Sequence, residues 1–204
     1  MSNKPVIVFE GIECSGKSLH INNVCKFLKK KKIPYIYLRE PGGSKNSEII
    51  RKLILNKKSN FNRYTDLFLY SASRSENIKE LKKFHKKKII IIDRFTDSTI
   101  AYQHFGLGVD LNLIRKIHNV ILNNFKIDFT FLNIVNETNM LQRLKKRNKL
   151  NRYDTFNIKF YKKVQKGFLT LAKKNPNKYK IINSNLDMKI NKDIVLKKIS
   201  ELIK

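Results

Sequence analysis

The sequence has little cysteine and no long apolar run. Its two cysteines, Cys14 and Cys25, are too few for a disulfide framework and lack a metal-binding spacing, so we expect a reducing cytoplasm. No apolar stretch approaches the length that crosses a bilayer, and no cleavage-site pattern follows the short apolar run near the start, so we predict no signal peptide and no membrane association. A length of 204 residues suits one well-filled domain, which we expect over residues 1–204.

Acidic residues are also scarce. The chain has 16 Asp and Glu against 44 Lys and Arg, which gives a formal net charge of +28. Such a charge is typical of proteins that bind nucleic acids or membrane surfaces. Here, however, the lysines are scattered over predicted outer helix faces and do not alternate with aromatic residues as in a stacking platform. The abundance of Lys, Asn, Ile and Phe is what an A- and T-rich coding sequence produces, so we predict no specific nucleic-acid partner.

Short apolar segments alternate with stretches of helical spacing along the whole chain. The apolar segments, rich in β-branched and aromatic residues, are 5–10, 34–40, 89–93, 129–134 and 179–183. The helical stretches are 18–30, 65–84, 110–125, 137–148, 154–174 and 187–203. This alternation predicts an α/β domain with a doubly wound, five-stranded parallel sheet flanked by helices.

The octapeptide after the first apolar segment fits the phosphate-binding loop (P-loop) pattern G-x-x-x-x-G-K-[ST]. We assign to ATP binding its residues Gly11, Ile12, Glu13, Cys14, Ser15, Gly16, Lys17 and Ser18. The glycines allow backbone N–H groups to turn towards phosphate oxygens at a helix N-terminus. In such loops the lysine reaches the β- and γ-phosphates, and the final hydroxyl is placed for Mg²⁺. Asp93 ends the segment "IIIID" and is the second candidate metal ligand, beside Ser18.

Arginine accounts for only nine of the 44 basic residues, so its placement is informative. Its planar fork holds phosphate or carbonyl oxygens bidentately, which lysine cannot do. Arg94 follows Asp93 at the predicted carboxyl edge of the sheet, where ligands bind in this fold class. Arg74 lies four residues after Tyr70, so the two share a helix face that suits a flat, oxygen-bearing ring.

Two further groups of side chains share predicted helix faces. The first, spaced i, i+3 and i+4, consists of Thr99, Tyr102 and Gln103. The second is basic and consists of Arg143 and Arg147, followed by Arg152. We call residues 143–153 the lid, because a mobile segment that closes over a triphosphate has this composition. In the alternative interpretation, the tyrosines are packing residues and the paired arginines form a solvated helix face.

Together these segments resemble the thymidylate kinase family, from residue 6 to about residue 185. The motifs that carry the resemblance are "FEGIECSGKS", "REPGG", "EIIRKLIL", "LYSASR", "IDRFTDSTIAYQ" and the arginine segment 143–152. The motifs "REPGG" and "IDRFTDSTIAYQ", combined with the phosphate loop, are far more specific than the phosphate loop alone. The resemblance implies a kinase that converts dTMP to dTDP with ATP and Mg²⁺, and it suggests a homodimer.

The resemblance also implies roles for the site residues. The acceptor dTMP would contact Glu13 (3′-hydroxyl), Arg51 and Arg94 (phosphate), Tyr70 (base stacking), Arg74 and Thr99 (thymine O4 and N3), Tyr102 (2′ position) and Gln103. The catalytic residues would be Lys17, Arg94, Arg143, Arg147 and Arg152. Because positions 14 and 15 hold no arginine, the lid must supply the arginines that meet the γ-phosphoryl charge. Asn151 and Tyr70 depart from the family pattern, which often has Asp and usually Phe there.

Two other interpretations remain open at this stage. A different nucleoside or nucleoside-monophosphate kinase would share the phosphate loop but not the residues that suit thymine. A basic ATPase acting on nucleic acid would explain the charge of +28 and would show no preference for an acceptor.

Overall fold

A five-stranded parallel sheet forms the centre of the fold. Its strands are β1 (Val6–Glu10), β2 (Tyr35–Arg39), β3 (Ile89–Asp93), β4 (Phe129–Ile134) and β5 (Tyr179–Asn183). They lie in the order β2-β3-β1-β4-β5, and every pair is parallel. The computed structural model describes residues 4–203, and in this range the predicted α/β architecture is confirmed.

Helices cover both faces of the sheet. They are α1 (Lys17–Lys30), α2 (Lys45–Leu55), α3 (Arg63–Phe84), α4 (Thr96–Thr99), α5 (Leu111–Leu122), α6 (Glu137–Lys145), α7 (Ile158–Lys174) and α8 (Met188–Leu202). A π-helix (Ile100–Gly106) continues α4, and 3₁₀ turns span Arg152–Thr155 and Pro176–Lys178. None of the helices in residues 4–203 combines the length and apolar character that a membrane crossing needs.

Alternate residues of the central strands build two apolar layers. Ile7 and Phe9 of β1 point to the side covered by α1 and α8. Val6 and Val8 point to the opposite side, where they join the cluster formed with α3. All five residues of β1 and of β3 are buried, which explains why the first four of each are apolar; the fifth is a buried acid, Glu10 or Asp93. Because all the strands are parallel, their carboxyl ends meet at one edge of the sheet, between the two helical layers.

Helix α2 is not predicted by the analysis of helical periodicity. Its apolar residues Ile50 and Ile54 are nevertheless four apart and face inward, and α2 packs against α3. Ser44 caps it, since its side chain accepts a hydrogen bond from the Ser47 N–H at 3.3 Å.

The helix bounds around the lid also differ from the prediction. The helix expected over 137–148 ends at Lys145, and the helix expected over 154–174 begins at Ile158. Asn157 starts the latter, because its side chain accepts a hydrogen bond from the Phe160 N–H at 2.9 Å. Between them, a capping box formed by Asn151 and Asp154 closes a 3₁₀ turn.

Candidate active site

A cavity of about 590 Å³ opens at the carboxyl edge of the sheet. The predicted site residues that line it are Glu13, Cys14, Ser15, Gly16, Lys17, Ser18, Arg51, Tyr70, Arg74, Asp93, Arg94, Tyr102, Gln103, Arg143 and Arg147. The predicted site residues outside its lining are Gly11, Ile12, Thr99 and Arg152. The fold thus brings together, in one cavity, side chains from the phosphate loop, α3, the end of β3, the π-helix and the lid.

The phosphate loop turns through two glycines with positive φ. Gly11 has φ +139° and Gly16 has φ +86°, and L-residues rarely adopt either conformation. A Cβ atom at Gly11 would lie 2.2 Å from the backbone oxygen of Asn133, so only glycine fits there. Because α1 begins at Lys17, directly after Gly16, the partial positive charge of the helix N-terminus lies at the loop.

The Lys17 amine is buried and folds back onto the loop. Its Nζ donates to the carbonyl oxygens of Gly11 at 2.9 Å and Ile12 at 3.0 Å. Burial, followed by the positive charge of Arg94, lowers the pKa of Lys17 to about 8. An anion in the loop would favour the charged amine, so Lys17 is well placed to meet phosphate oxygens.

Glu13, the acid inside the loop, is bound by Arg94 and Tyr102. Its Oε1 accepts from NH2 of Arg94 at 2.9 Å, and its Oε2 accepts from the Tyr102 hydroxyl at 2.5 Å. Arg94 also donates to the carbonyl oxygen of Gly11 at 2.8 Å and lies over the Tyr102 ring, with Cζ 5.2 Å from the centroid. This network joins the loop acid to two residues that the family resemblance assigns to the acceptor.

Arg74 is fully buried at the opposite end of the cavity. Its Nε donates to Oε2 of Glu40 at 2.8 Å, and its NH2 lies at the same distance from that oxygen. Its NH1 donates to Thr99 Oγ1 and to His118 Nε2, both at 2.9 Å. Burial is the larger cause, and the positive charge of Arg74 the smaller, that lowers the pKa of His118 to about 3. The ring is therefore neutral, and its Nε2 accepts the hydrogen bond from Arg74. Three of the five N–H donors make these hydrogen bonds, and the remaining two belong to NH2, the nitrogen that is paired with Glu40.

The π-helix corrects the predicted placement of Thr99. The spacing of Thr99, Tyr102 and Gln103 puts all three on one face of an α-helix, but the winding changes after Thr99. The N–H of Leu107 bonds the carbonyl oxygen of Tyr102, five residues earlier, at 2.9 Å. Tyr102 and Gln103 consequently line the cavity, whereas Thr99 lies behind it as a partner of Arg74.

Ser18 and Asp93 are both in the cavity lining, as a shared metal ion requires. The Oδ1 atom of Asp93 is buried without a hydrogen-bond partner among the described residues, which marks it as an oxygen that a ligand would satisfy. A hydroxyl and a carboxylate are hard oxygen donors of the kind that Mg²⁺ prefers. In residues 4–203 there is no cluster of three or more His, Cys, Asp or Glu that would hold a metal alone. The site therefore fits Mg²⁺ brought in with substrate phosphates, which supply its other ligands.

Arg143 and Arg147 of the lid face the phosphate loop. Arg143 donates from NH1 to the carbonyl oxygen of Cys14 at 3.0 Å and from NH2 to that of Ser184 at 2.7 Å. The side chain of Arg147 is 42% exposed and forms an ion pair with Asp154, whose carboxylate is fully buried. Arg143 is thus held by backbone, while Arg147 is anchored at one end and open to the cavity.

Arg152 has a different environment. Its NH2 donates to Oδ1 of Asp66 at 2.6 Å, and its guanidinium lies over the ring of Phe61, 5.4 Å from the centroid. The side chain is 11% exposed and lies outside the cavity lining. The structure therefore does not bring Arg152 together with the other two lid arginines.

Sequence reasoning missed several residues of the cavity and its support. They are Glu40, Asp66, His118, Ser184, Leu186, Met188 and Asn191. Two signals could have been used: Glu40 stands in the motif "REPGG", and Asp66 directly precedes the apolar run 67–70, one turn before Tyr70. Leu186, in the connection from β5 to α8, and Met188, the first residue of α8, are more than half exposed and give this end of the cavity an apolar wall.

Comparisons with known proteins bear on the family and on the fold. A family model described as "Thymidylate kinase" matches residues 9–194. The thymidylate kinase of Chlorobium luteolum is 32% identical, covering 98% of each chain, and that of Clostridium novyi is 37% identical, covering 91% of this chain and 93% of its own. A crystal structure of thymidylate kinase from Ehrlichia chaffeensis matches with a TM-score of 0.78 at 29% identity, covering 98% of this chain and 99% of that one.

Proposed function

Because this chain belongs to the thymidylate kinase family, it is a kinase that phosphorylates dTMP to dTDP, and we propose that the cavity at the carboxyl edge of the sheet is where it does so. The observation that carries the proposal is the cavity's two-ended lining. The phosphate loop forms one part of the lining and Tyr70 and Arg74 of α3 form another, while Arg94 is bonded to the loop residues Gly11 and Glu13. Such an arrangement holds two anionic substrates in line, which is most of what phosphoryl transfer asks of a protein.

The acceptor half would take dTMP. The Arg94 guanidinium, 19% exposed, would bind the phosphate with help from Arg51. Tyr70 would stack on the thymine ring, and NH2 of Arg74 would donate to a thymine carbonyl oxygen. Thr99 would act through Arg74, since it accepts from NH1 of that residue. Glu13 and Tyr102, bonded to one another, would face the deoxyribose.

The donor half would take ATP. Its phosphates would replace the loop carbonyl oxygens as partners of the Lys17 amine, and its purine would lie against Leu186 and Met188. Ser18 and Asp93 would hold Mg²⁺, which supplies charge neutralisation and alignment of the phosphates when bound.

The lid, residues 143–153, would complete the site. An oxygen of the dTMP phosphate attacks the γ-phosphorus, and the bond to the ADP leaving oxygen breaks. Arg147, exposed to the cavity, would meet the charge that develops on the transferred group, while Arg143 fixes the lid helix on the loop backbone. Closure would also exclude water, which otherwise competes as acceptor.

A homodimer is part of the proposal. Two residues of α2, Ile49 and Leu53, and two of α3, Tyr64 and Phe68, are 41–57% exposed. Each pair is spaced by one turn, and the two helices pack together, so the four side chains suit a shared apolar interface. We also propose a cytoplasmic location, to which the two free cysteines are suited.

A panel of nucleoside monophosphates assayed with Mg·ATP tests the proposed acceptor site. We expect dTMP to be the best acceptor, dUMP weaker, and dCMP, AMP and GMP poor. Faster phosphorylation of AMP or CMP would show that the acceptor half reads another base. ATP hydrolysis measured with DNA or RNA and no nucleotide acceptor tests the remaining alternative, and stimulation by nucleic acid would favour it.

A further inference from the structure

One buried carboxylate fastens the carboxyl end of the lid to α3. Asp66 is fully buried, and its Oδ1 accepts from NH2 of Arg152 at 2.6 Å. Its Oδ2 accepts from the Tyr153 hydroxyl at 2.5 Å. A buried carboxylate is costly without its donors, so Asp66 strongly favours the state in which both lid residues remain docked.

The same carboxylate also contacts the acceptor half of the cavity. Gln103, which lines the cavity, donates from Nε2 to Oδ2 of Asp66 at 3.1 Å. Tyr70 lies one turn after Asp66 on α3, and its ring meets that of Tyr153 edge-on with centroids 6.0 Å apart. The Tyr102 ring meets Tyr153 in the same manner at 5.6 Å. Tyr153 therefore packs on two rings that line the space proposed for the nucleoside.

The docked turn continues towards the phosphate end. Asp154, next to Tyr153, has a fully buried carboxylate that pairs with Arg147. Its Oδ2 also accepts from the backbone N–H of Asn151 at 2.8 Å. A continuous set of contacts thus runs from the nucleoside pocket through Asp66 and the turn to the arginine that faces the phosphates.

From these contacts we propose that Asp66 is a positioning residue that couples acceptor binding to lid closure. The inference rests on the proposed acceptor site. A base bound against Tyr70 and Gln103 fixes these two side chains, which contact Tyr153 and Asp66. The turn then stays docked, and Asp154 in the turn holds Arg147 towards the phosphates. When the turn is released, Arg147 is no longer held towards the phosphates and the lid no longer excludes water, which then competes with dTMP as acceptor. Arg152 acts in this account through Asp66 and not on the phosphates.

The test compares Asp66→Asn, Arg152→Gln and the double variant with the wild type. Two quantities are measured: ADP formed per dTDP at saturating ATP and dTMP, and the protection of residues 151–156 from hydrogen exchange on addition of dTMP. Asp128→Asn is the matched control, because Asp128 accepts from the Val6 N–H at 2.7 Å and lies outside the cavity lining. Tyr153→Phe, which loses only the hydroxyl, serves if Asp66→Asn does not fold.

We expect Asp66→Asn to raise the ratio of ADP to dTDP about threefold or more and to abolish most of the dTMP-dependent protection. The double variant should be no worse than the more affected single variant, since the two residues act as one unit. The control should keep the wild-type ratio and protection even where its stability falls. The proposal would be overturned if folded Asp66→Asn kept the wild-type ratio of ADP to dTDP and the wild-type protection. If Asp66→Asn does not fold, the same result in Tyr153→Phe would overturn it.

Two other results have separate meanings. If Arg152→Gln lowers kcat at least about tenfold while ratio and protection stay at wild-type values, Arg152 acts directly on the phosphates and the coupling is wrong. If the wild type itself does not transfer to dTMP, the proposed acceptor site fails, and this is seen before any variant is made.

Discussion

The phosphate loop and the lid face the same cavity, but different contacts hold them in place. Residues 11–18 are shaped by backbone conformation, with Gly11 and Gly16 at positive φ. The carboxyl end of the lid is held by side-chain pairs, and Arg152 and its partner Asp66 are 86 positions apart. Loop substitutions, except at Glu13, which contacts the acceptor residues, should therefore impair every step, whereas lid substitutions should act mainly on the transfer rate.

The largest effect is expected in the loop, at Lys17. Among the described residues, Lys17 is the one lysine of the cavity lining, so no neighbouring amine can replace it. Lys17→Met should lower kcat about 10³-fold, because the developing charge loses a buried cation. Lys29→Met, at the exposed far end of the same helix, is the control and should behave as the wild type in the same coupled assay. A loss below about tenfold in Lys17→Met would remove the contrast with the lid.

The next largest effect is expected in the lid, at Arg147. Arg147→Ala should lower kcat about 10²-fold with little change in the KM for dTMP, and Arg147→Lys should recover part of the loss because it keeps the charge but not the planar fork. Steady-state kinetics with Arg115→Ala, an exposed arginine of α5, provide the control. Near-normal kcat in alanine variants of all three lid arginines would mean that other groups neutralise the charge.

A smaller effect is expected at Glu13, which belongs to the loop by position but to the acceptor by its contacts. Its carboxylate holds Arg94 and Tyr102 at 2.9 and 2.5 Å. Glu13→Ala should raise the KM for dTMP about tenfold, since hydrogen bonds to a charged group are lost, while ATP binding changes little. Calorimetric titration of each substrate separately checks this. Weaker ATP binding with an unchanged KM for dTMP would place Glu13 in the donor half.

The smallest effect on activity is expected at Glu10, where the predicted change is in stability. Glu10 ties the loop to the segment after β3. Its Oε1 accepts from the N–H groups of Phe95 at 2.8 Å and Ser98 at 3.2 Å. Burial, followed by the negative charge of Asp97, raises the pKa of Glu10 from 4.5 to about 7. Between pH 4.5 and pH 7, Glu10 is therefore protonated in the folded protein but ionised in the unfolded chain. Its contribution to stability is complete below about pH 4.5 and is lost as the pH rises to about 7.

Glu10→Gln should remove that contribution to the pH dependence. Between pH 5 and pH 7.5 the wild type should lose about 2 kcal/mol more stability than the variant, measured by urea unfolding at each pH. Parallel stability profiles would mean that Glu10 is ionised in the folded protein throughout this range.

The contrast between loop and lid also explains what the sequence could predict. The five strands and the loop are encoded locally, by apolar runs and by glycines at fixed spacing, and all appear where expected. The motif "REPGG" marks Glu40, but nothing local shows that it pairs with Arg74, 34 positions away. The π-helix also escapes prediction, because the spacing of Thr99 and Tyr102 fits an α-helix equally well.

The most direct test of the account is a crystal structure with dTMP, Mg²⁺ and a non-hydrolysable ATP analogue. We expect the γ-phosphate at the N-terminus of α1 beside Lys17, the dTMP phosphate on Arg94, and a thymine carbonyl oxygen within hydrogen-bond distance of Arg74. A dTMP bound in the reverse direction, with its phosphate on Arg74, or bound outside this cavity, would contradict the two-ended site.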